Sequence, residues 1–246
     1  MPAGGRRAAL PQLKFGAAPA GLSALREVEG VTVRVGDEVV HTPDRARISD
    51  LDALPSPYLT GLFDVYAGLP DLFATIETNR GCPYRCVFCD WGSATNSRIR
   101  KFSMDRILSE IDWCAANKIE TLGLADANFG IFERDVDVAA RVAAVRGATG
   151  HPRGFGVSYA KNTVTHLRPI IEVLAGAGVM AQGVLSLQTM DSATLDAIRR
   201  SNIRTGRYDD LAHEMRRAGL PLVVELMIGL PGQTPASVAD DLQECI

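Results

Sequence analysis

Nowhere in the 246 residues does an apolar run reach the ~20 residues that a membrane-crossing helix requires, so a spanning segment is excluded. An excess of one charge is missing too. Lys and Arg total 26 against 29 Asp and Glu, a formal net charge of −3. No global basic field draws such a chain to nucleic acid or anionic lipid, and nucleic acid is not expected as a partner. Collagen-like repeats are absent and 46% of the residues are apolar, which rules out wholesale disorder. A chain of this length buries roughly 70–75% of its unfolded surface, enough for one domain of above-average size. A disulfide framework is a poor reading. The five cysteines are an odd number, and three of them crowd into residues 82–89. The opening MPAGGRRAALPQLKFGAAPAG has no apolar signal region, so a reducing cytoplasm is the expected compartment. An organelle transit peptide is the alternative, since no acidic residue precedes Glu27.

Residues 1–20, rich in Ala, Gly and Pro, read as disordered. Residues 21–71 read as an arm or linker. They carry a weak hairpin signal at Gly36-Asp37, and Pro55 and Pro57 force an extended path. From residue 72 the pattern becomes strand–helix alternation. Strands are expected at Leu72–Thr78, Glu120–Asp126, Gly154–Ala160, Val179–Gln188 and Leu220–Gly229. Between them, helices are expected after a Ser103 cap, at Asp135–Arg146, Thr163–Ala177, Asp191–Arg200 and Arg207–Ala218. A last one should follow a Thr234 cap. Such alternation means parallel βα units, in an open sheet or a full or partial barrel, with chemistry at the carboxyl ends of the strands. Those ends do turn polar. They hold Thr78-Asn79-Arg80, Asp126-Ala127-Asn128, Ser158-Tyr159, Ser186 with Gln188, and Glu225.

Directly after the first of these strands comes Gly81-Cys82-Pro83-Tyr84-Arg85-Cys86-Val87-Phe88-Cys89-Asp90-Trp91-Gly92, a C-x3-C-x2-C run. Three buried thiols on a helix face would share that spacing, but no apolar periodic segment surrounds them. A structural zinc site wants four ligands. His41, His151, His166 and His213 all lie far from the run. An iron–sulfur cluster fits better, and three thiolates on a four-iron cluster leave one iron open to a small molecule. Cys114 falls on the apolar face of its helix and Cys245 beside Val238 and Leu242, so both read as small hydrophobes.

The motif, with Phe88 before its third cysteine and a βα series behind it, resembles the radical S-adenosylmethionine (radical SAM) superfamily over residues 72–246. The resemblance implies a partial parallel (β/α) barrel, an α/β fold with about five of six βα units present. It also implies a 4Fe–4S cluster on Cys82, Cys86 and Cys89, with SAM on the fourth iron. Such enzymes cleave SAM reductively to a 5′-deoxyadenosyl radical, using a reducing partner such as flavodoxin or ferredoxin. Carried over residue by residue, it places Phe88 near the adenine. It nominates Asp126, with Asn128 in the same segment, where the family often has a Gly-Gly-Glu contact to the SAM amino group. Ser158, Ser186 and Gln188 fall where ribose or carboxylate contacts occur. Arg200 is a candidate for the SAM carboxylate, against a solvated helix charge. Met227 and Gly229 fall in the segment flanking adenine. Arg98, Arg100 and Lys101 read as surface charge or as contacts to an anionic substrate.

Residues 48–59 and the Cys-Asp-Trp-Gly ending are similar to cobalamin-dependent radical SAM enzymes, where such an arm follows a cobalamin-binding domain. The expectation is therefore a core that belongs with an upstream cobalamin domain and a sixth strand, or an enzyme that manages without that domain, acting by methyl transfer or another radical rearrangement on a small molecule or peptide. A cobalamin-independent radical SAM oxidoreductase or lyase is the enzyme alternative. A zinc- or cluster-stabilised binding module is the non-enzyme one.

Overall fold

The computed structural model describes residues 22–89, 98–161, 163, 165–181, 183–202, 205–217, 219 and 222–245. The first 20 residues, expected to be disordered, lie outside that range, as do Asp90, Trp91 and Gly92. The chain divides into two units, Met1–Ser49 and Asp50–Ile246.

In the first unit a 3-10 helix, Leu22–Glu27, precedes an antiparallel hairpin of β1 (Thr32–Val35) and β2 (Glu38–His41). Its two-residue turn is Gly36-Asp37, and Gly36 supplies the left-handed backbone at φ +64°. Thr42 closes the base: its Oγ1 accepts from Val31 N at 2.9 Å and donates to Val31 O at 3.1 Å.

The second unit is built on parallel strands. β3 (Phe73–Ile76) leads to β4 (Asn79–Arg80), which pairs antiparallel with β5 (Arg100–Lys101). β6 (Thr121–Leu124), β7 (Gly154–Gly156) and β8 (Met180–Ala181) then join β3 in a parallel sheet of order β3-β6-β7-β8. The chain continues across residue 182 into β9 (Gly183–Gln188), which pairs in parallel with β10 (Leu222–Leu226). Among the described residues no pairing joins β10 to β3, so the (β/α) barrel is partial and not closed.

Among the described residues six α-helices run between and after the strands: α1 (Met104–Ala116), α2 (Arg134–Thr149), α3 (Leu167–Gly176), α4 (Ser192–Ala197), α5 (Thr205–Arg217) and α6 (Pro235–Glu244). Helix α1 starts where Ser103 Oγ accepts from Arg106 N, and its Ile107, Ile111 and Cys114 are fully buried. Leu122, Phe129, Val138, Val142, Ile170 and Leu174 complete the centre of the core.

Three helix ends differ from the sequence reading. Helix α2 does not stop before Gly147. It continues to Thr149, and Gly150 caps it at φ +81° with its N–H on Arg146 O. A glycine inside a helix costs only about 1 kcal/mol, less than the burial of Val138, Val142 and Val145 returns. Helix α3 starts at Leu167 instead of Thr163, which places Pro169 in its first turn, where no N–H partner is needed. Helix α4 ends at Ala197, and Arg199 then turns left-handed at φ +53°.

Part of the expected arm belongs to this second unit. Leu51 is 1% exposed, and Asp52 carboxylate oxygens accept from Ser103 N at 3.0 and 3.2 Å. Tyr58 lies along β3: its hydroxyl donates to Thr75 O at 2.6 Å and accepts from Thr75 N at 3.1 Å. Its ring meets Phe63 edge-on and Trp113 at a tilt. The arm thereby satisfies both backbone groups of one residue on the sheet's outer strand.

Candidate functional site

The strand ends converge on the cysteine run. β3 ends at Ile76, and the next residues are held by β6. Asp126, 2% exposed, accepts from Thr78 N at 2.8 Å, Asn79 N at 3.3 Å and Asn79 Nδ2 at 2.8 Å, and also from the Thr78 hydroxyl. Burial raises its pKa from the ordinary 3.8 to about 6, opposed by these hydrogen bonds. Asp126, nominated for the amino group of SAM, faces donors of Thr78 and Asn79 here. Both carboxylate oxygens are already occupied, and they tie the approach to the cysteine run onto β6.

Three residues past Asn79 comes Cys82. Cys82, Cys86 and Cys89 are all half-buried free thiols. Asn128, 3% exposed just past the end of β6, donates from Nδ2 to Cys82 Sγ at 3.4 Å. Its Oδ1 is buried and has no partner. The run is also pinned to the far strands, since Val87 N donates to Ile198 O at 3.1 Å.

Arg200 reaches the run from beyond α4. Its Nη1 donates to Cys86 Sγ at 3.9 Å, its Nε to Asn202 Oδ1 at 2.7 Å and its Nη2 to Ser186 O. The guanidinium carbon stands 6.0 Å from the Phe88 ring centroid. Burial lowers its pKa, while Cys86, Cys89 and Cys82 act in the opposite direction. A solvated helix charge is not what Arg200 is.

Lys161, past the end of β7, is a second half-buried cation. Its Nζ donates to Ala127 O at 2.5 Å. Burial and Arg200 lower its pKa, and Cys82, Glu225 and Cys89 counter them. Two cations and an amide N–H thus neighbour the three sulfurs.

The remaining nominated residues lie on the same strand ends. Ser186 Oγ donates to Glu225 Oε2 at 2.5 Å, joining β9 to β10. Gln188 is 9% exposed at φ +68°, opposite an irregularity between Glu225 and Leu226. The extra residue there is Leu187 on β9, since Ser186 and Gln188 face the adjacent Glu225 and Leu226. Met227 N donates to Gln188 O at 2.8 Å. Gln233 shapes the next residues: its Oε1 accepts from Gly229 N at 2.8 Å and Leu230 N at 3.2 Å, and its Nε2 donates to Met227 O at 3.0 Å. Ser158 is exposed, and its carbonyl accepts from Phe129 N at 2.8 Å. Of the basic loop residues, Arg98 is exposed and Lys101 Nζ stacks 3.5 Å from the Phe132 ring centroid. Cys114 is fully buried away from the run, and burial pushes its thiol up to about 12.

Lys161, Asn202 and Gln233 were missed in the sequence. Lys161 lies one residue past the last expected strand position, where the rule of polar strand ends reaches it. Asn202 and Gln233 act through backbone groups and leave no pattern.

Among the described residues no three His, Cys, Asp or Glu side chains converge on a single metal ion. A four-iron cluster does not ask for that, because each thiolate binds its own iron. Three free thiols, N–H donors on two of the sulfurs and two neighbouring cations fit such a cluster. The orphaned Asn128 Oδ1 offers an acceptor beside it.

Comparison with known proteins agrees. Residues 76–245 match the family model of the Radical SAM superfamily. The cobalamin-dependent radical SAM methyltransferase TokK of Streptomyces tokunonensis is 41% identical over 87% of this chain and 32% of its own length. The 2-(S-pantetheinyl)-carbapenam-3-carboxylate methyltransferase of Streptantibioticus cattleyicolor is 40% identical over the same shares. The chain thus spans about a third of the length of these relatives. The solved structure of the radical SAM methyltransferase TsrM from Kitasatospora setae, with cobalamin and a [4Fe-4S] cluster bound, superposes with a TM-score of 0.64 at 18% identity. That match covers 89% of this chain and 44% of TsrM, and it shows the fold. The cysteine run, the parallel strands that aim at it and the family match leave one assignment: the chain belongs to the radical SAM superfamily.

Proposed function

We propose that this chain is the core of a cobalamin-dependent radical SAM methyltransferase acting on a small molecule. The observation that carries the cluster part is the pair of N–H donors on Cys82 and Cys86, one of them the Arg200 guanidinium, with half-buried Lys161 as a second cation nearby. The two relatives at 41% and 40% identity support methyl transfer, and cobalamin in a longer form of the protein. Cys82, Cys86 and Cys89 hold the 4Fe–4S cluster. When bound, the cluster supplies the single electron that cleaves SAM.

The chain's own residues bind and orient. Asp126 holds Thr78 and Asn79, and through them the start of the cysteine run. Asn128 Oδ1 accepts from the amino group of SAM in the place first assigned to Asp126. Arg200 and Lys161 face its carboxylate. Phe88, Met227 and Gly229 flank the adenine, while Ser158, Ser186 and Gln188 line the ribose side. A flavodoxin or ferredoxin serves as one-electron donor, and the compartment is the cytoplasm. No helix among the described residues is long and apolar enough to cross a membrane.

Anaerobic reconstitution tests this reading. Iron and sulfide should load in equal amounts to a 4Fe–4S stoichiometry, and SAM should change the electron paramagnetic resonance (EPR) spectrum of the reduced cluster. Zinc in place of iron would overturn it in favour of a binding module. SAM cleavage without cobalamin binding, measured on a chain as long as the relatives, would favour an oxidoreductase or lyase.

A further inference from the structure

The two N–H contacts on the cysteine sulfurs come from different segments, one past β6 and one past α4, and both donors are held firmly. Asn128 is 3% exposed and reaches Cys82 Sγ at 3.4 Å. Arg200 reaches Cys86 Sγ at 3.9 Å, with its other nitrogens spent on Asn202 Oδ1 and Ser186 O. Asn202 is fixed in turn, donating from Nδ2 to Leu187 O and Thr189 O, both at 2.8 Å. The guanidinium is therefore bolted to the carboxyl end of β9 and cannot swing freely towards solvent. A donor or a positive charge beside a thiolate ligand favours the more negative, reduced state of an iron–sulfur cluster.

We propose that Asn128 and Arg200 set the reduction potential of the cluster on Cys82, Cys86 and Cys89, raising it so that an iron–sulfur or flavin protein can reduce it. The inference rests on the cluster reading above. The reduction is a one-electron step: the cluster gains the electron, the donor protein loses it, and no proton moves. Towards the cluster both residues act through the thiolates, apart from the SAM contacts proposed for them above, and the titration is therefore run without SAM.

The test is a redox titration of the reconstituted protein with dithionite, followed by EPR. Asn128→Leu removes the amide donor at similar size, and Arg200→Gln removes the cation. Each should lower the reduced-to-oxidised ratio at a fixed potential about tenfold, equivalent to ~59 mV for one electron. Arg200→Lys keeps the charge and should shift the ratio less. Arg168→Gln, on the outer face of α3, should shift nothing. Unchanged midpoints in both Asn128→Leu and Arg200→Gln would overturn the proposal. Should a variant fail to load its cluster, wild-type protein carrying 15N-labelled asparagine and arginine replaces it. Its reduced cluster should show 15N hyperfine coupling, and absence of any coupling overturns the proposal. Failure of the wild-type chain to load a cluster would instead overturn the underlying reading, and this inference with it.

Discussion

Asp126 takes both the backbone N–H and the hydroxyl of Thr78, so the ends of β3 and β6 are clasped by one carboxylate. The clasp has a pH signature. Burial raises the folded pKa of Asp126 to about 6, above its ordinary 3.8. Its contribution is therefore fully present below about pH 4 and is lost as the pH rises through about 6. Urea unfolding across that window should show the wild type losing about 2–3 kcal/mol relative to Asp126→Asn. Asp135, also pushed up by burial, titrates in both proteins and largely cancels in the difference. Parallel stability–pH curves for the two proteins would show that the carboxyl titrates normally.

Tyr58 gives a second, sharper test of how the arm is attached. Its hydroxyl satisfies both the N–H and the C=O of Thr75, while its ring packs on Phe63 and Trp113. Tyr58→Phe keeps the ring contacts and removes only the hydroxyl. The cost should be about 1–3 kcal/mol, the range for leaving a buried backbone group unpaired. Thermal unfolding at one pH measures it. No loss would mean that water replaces the hydroxyl at the strand's edge.

The parallel strand–helix order and the cysteine run were legible in the sequence because each leaves a periodic or spaced pattern. The caps at Ser103 and Thr234 were legible for the same reason, since a cap is a local side-chain-to-backbone bond. Lengths were not. The strands expected at Gly154–Ala160 and Leu220–Gly229 are observed as Gly154–Gly156 and Leu222–Leu226. Past Gly156 the pairing resumes only as a bridge between Tyr159 and Phe129, and past Leu226 as the bond from Met227 N to Gln188 O. The clasp made by Asp126 was not legible because a carboxylate at a strand end looks alike whether it faces a ligand or a neighbouring strand. Only the fold brings Thr78, 48 residues away in sequence, against it.

The five cysteines should separate cleanly into two groups. Cys→Ala at 82, 86 or 89 should each abolish cluster assembly, read as loss of the brown chromophore and of bound iron. Cys114→Ala should load normally. Cys114 is fully buried, and desolvation pushes its thiol up to about 12, so it stays protonated and inert. The small cavity left by removing its sulfur should cost about 1 kcal/mol or slightly more. A thiol reagent applied to the folded apoprotein should modify Cys82, Cys86 and Cys89 and spare Cys114 until urea unfolds the chain.

Gln233 allows a prediction with a pH control. Its amide holds three backbone groups at once, accepting from Gly229 N and Leu230 N and donating to Met227 O. Gly229 stands at φ +92°, so the segment takes a shape that most residues resist and that Gln233 stabilises from the side. Gln233→Ala should cost about 1 kcal/mol globally, because the side chain is only half-buried. Its local effect should be larger. Amide exchange at Gly229 and Leu230 should accelerate roughly tenfold or more, as expected when two hydrogen bonds of a surface segment are removed. Gln233→Glu separates the two functions of the amide. A carboxylate still accepts from Gly229 N and Leu230 N, but it faces the Met227 carbonyl with a second oxygen and repels it. Protonation restores a donor at that place. Exchange at Gly229 and Leu230 in Gln233→Glu, corrected for the intrinsic pH dependence, should therefore approach the wild-type value below about pH 4 and rise above it. Protection independent of pH in Gln233→Glu would show that the bond to Met227 O contributes nothing and that the two N–H bonds alone hold the segment.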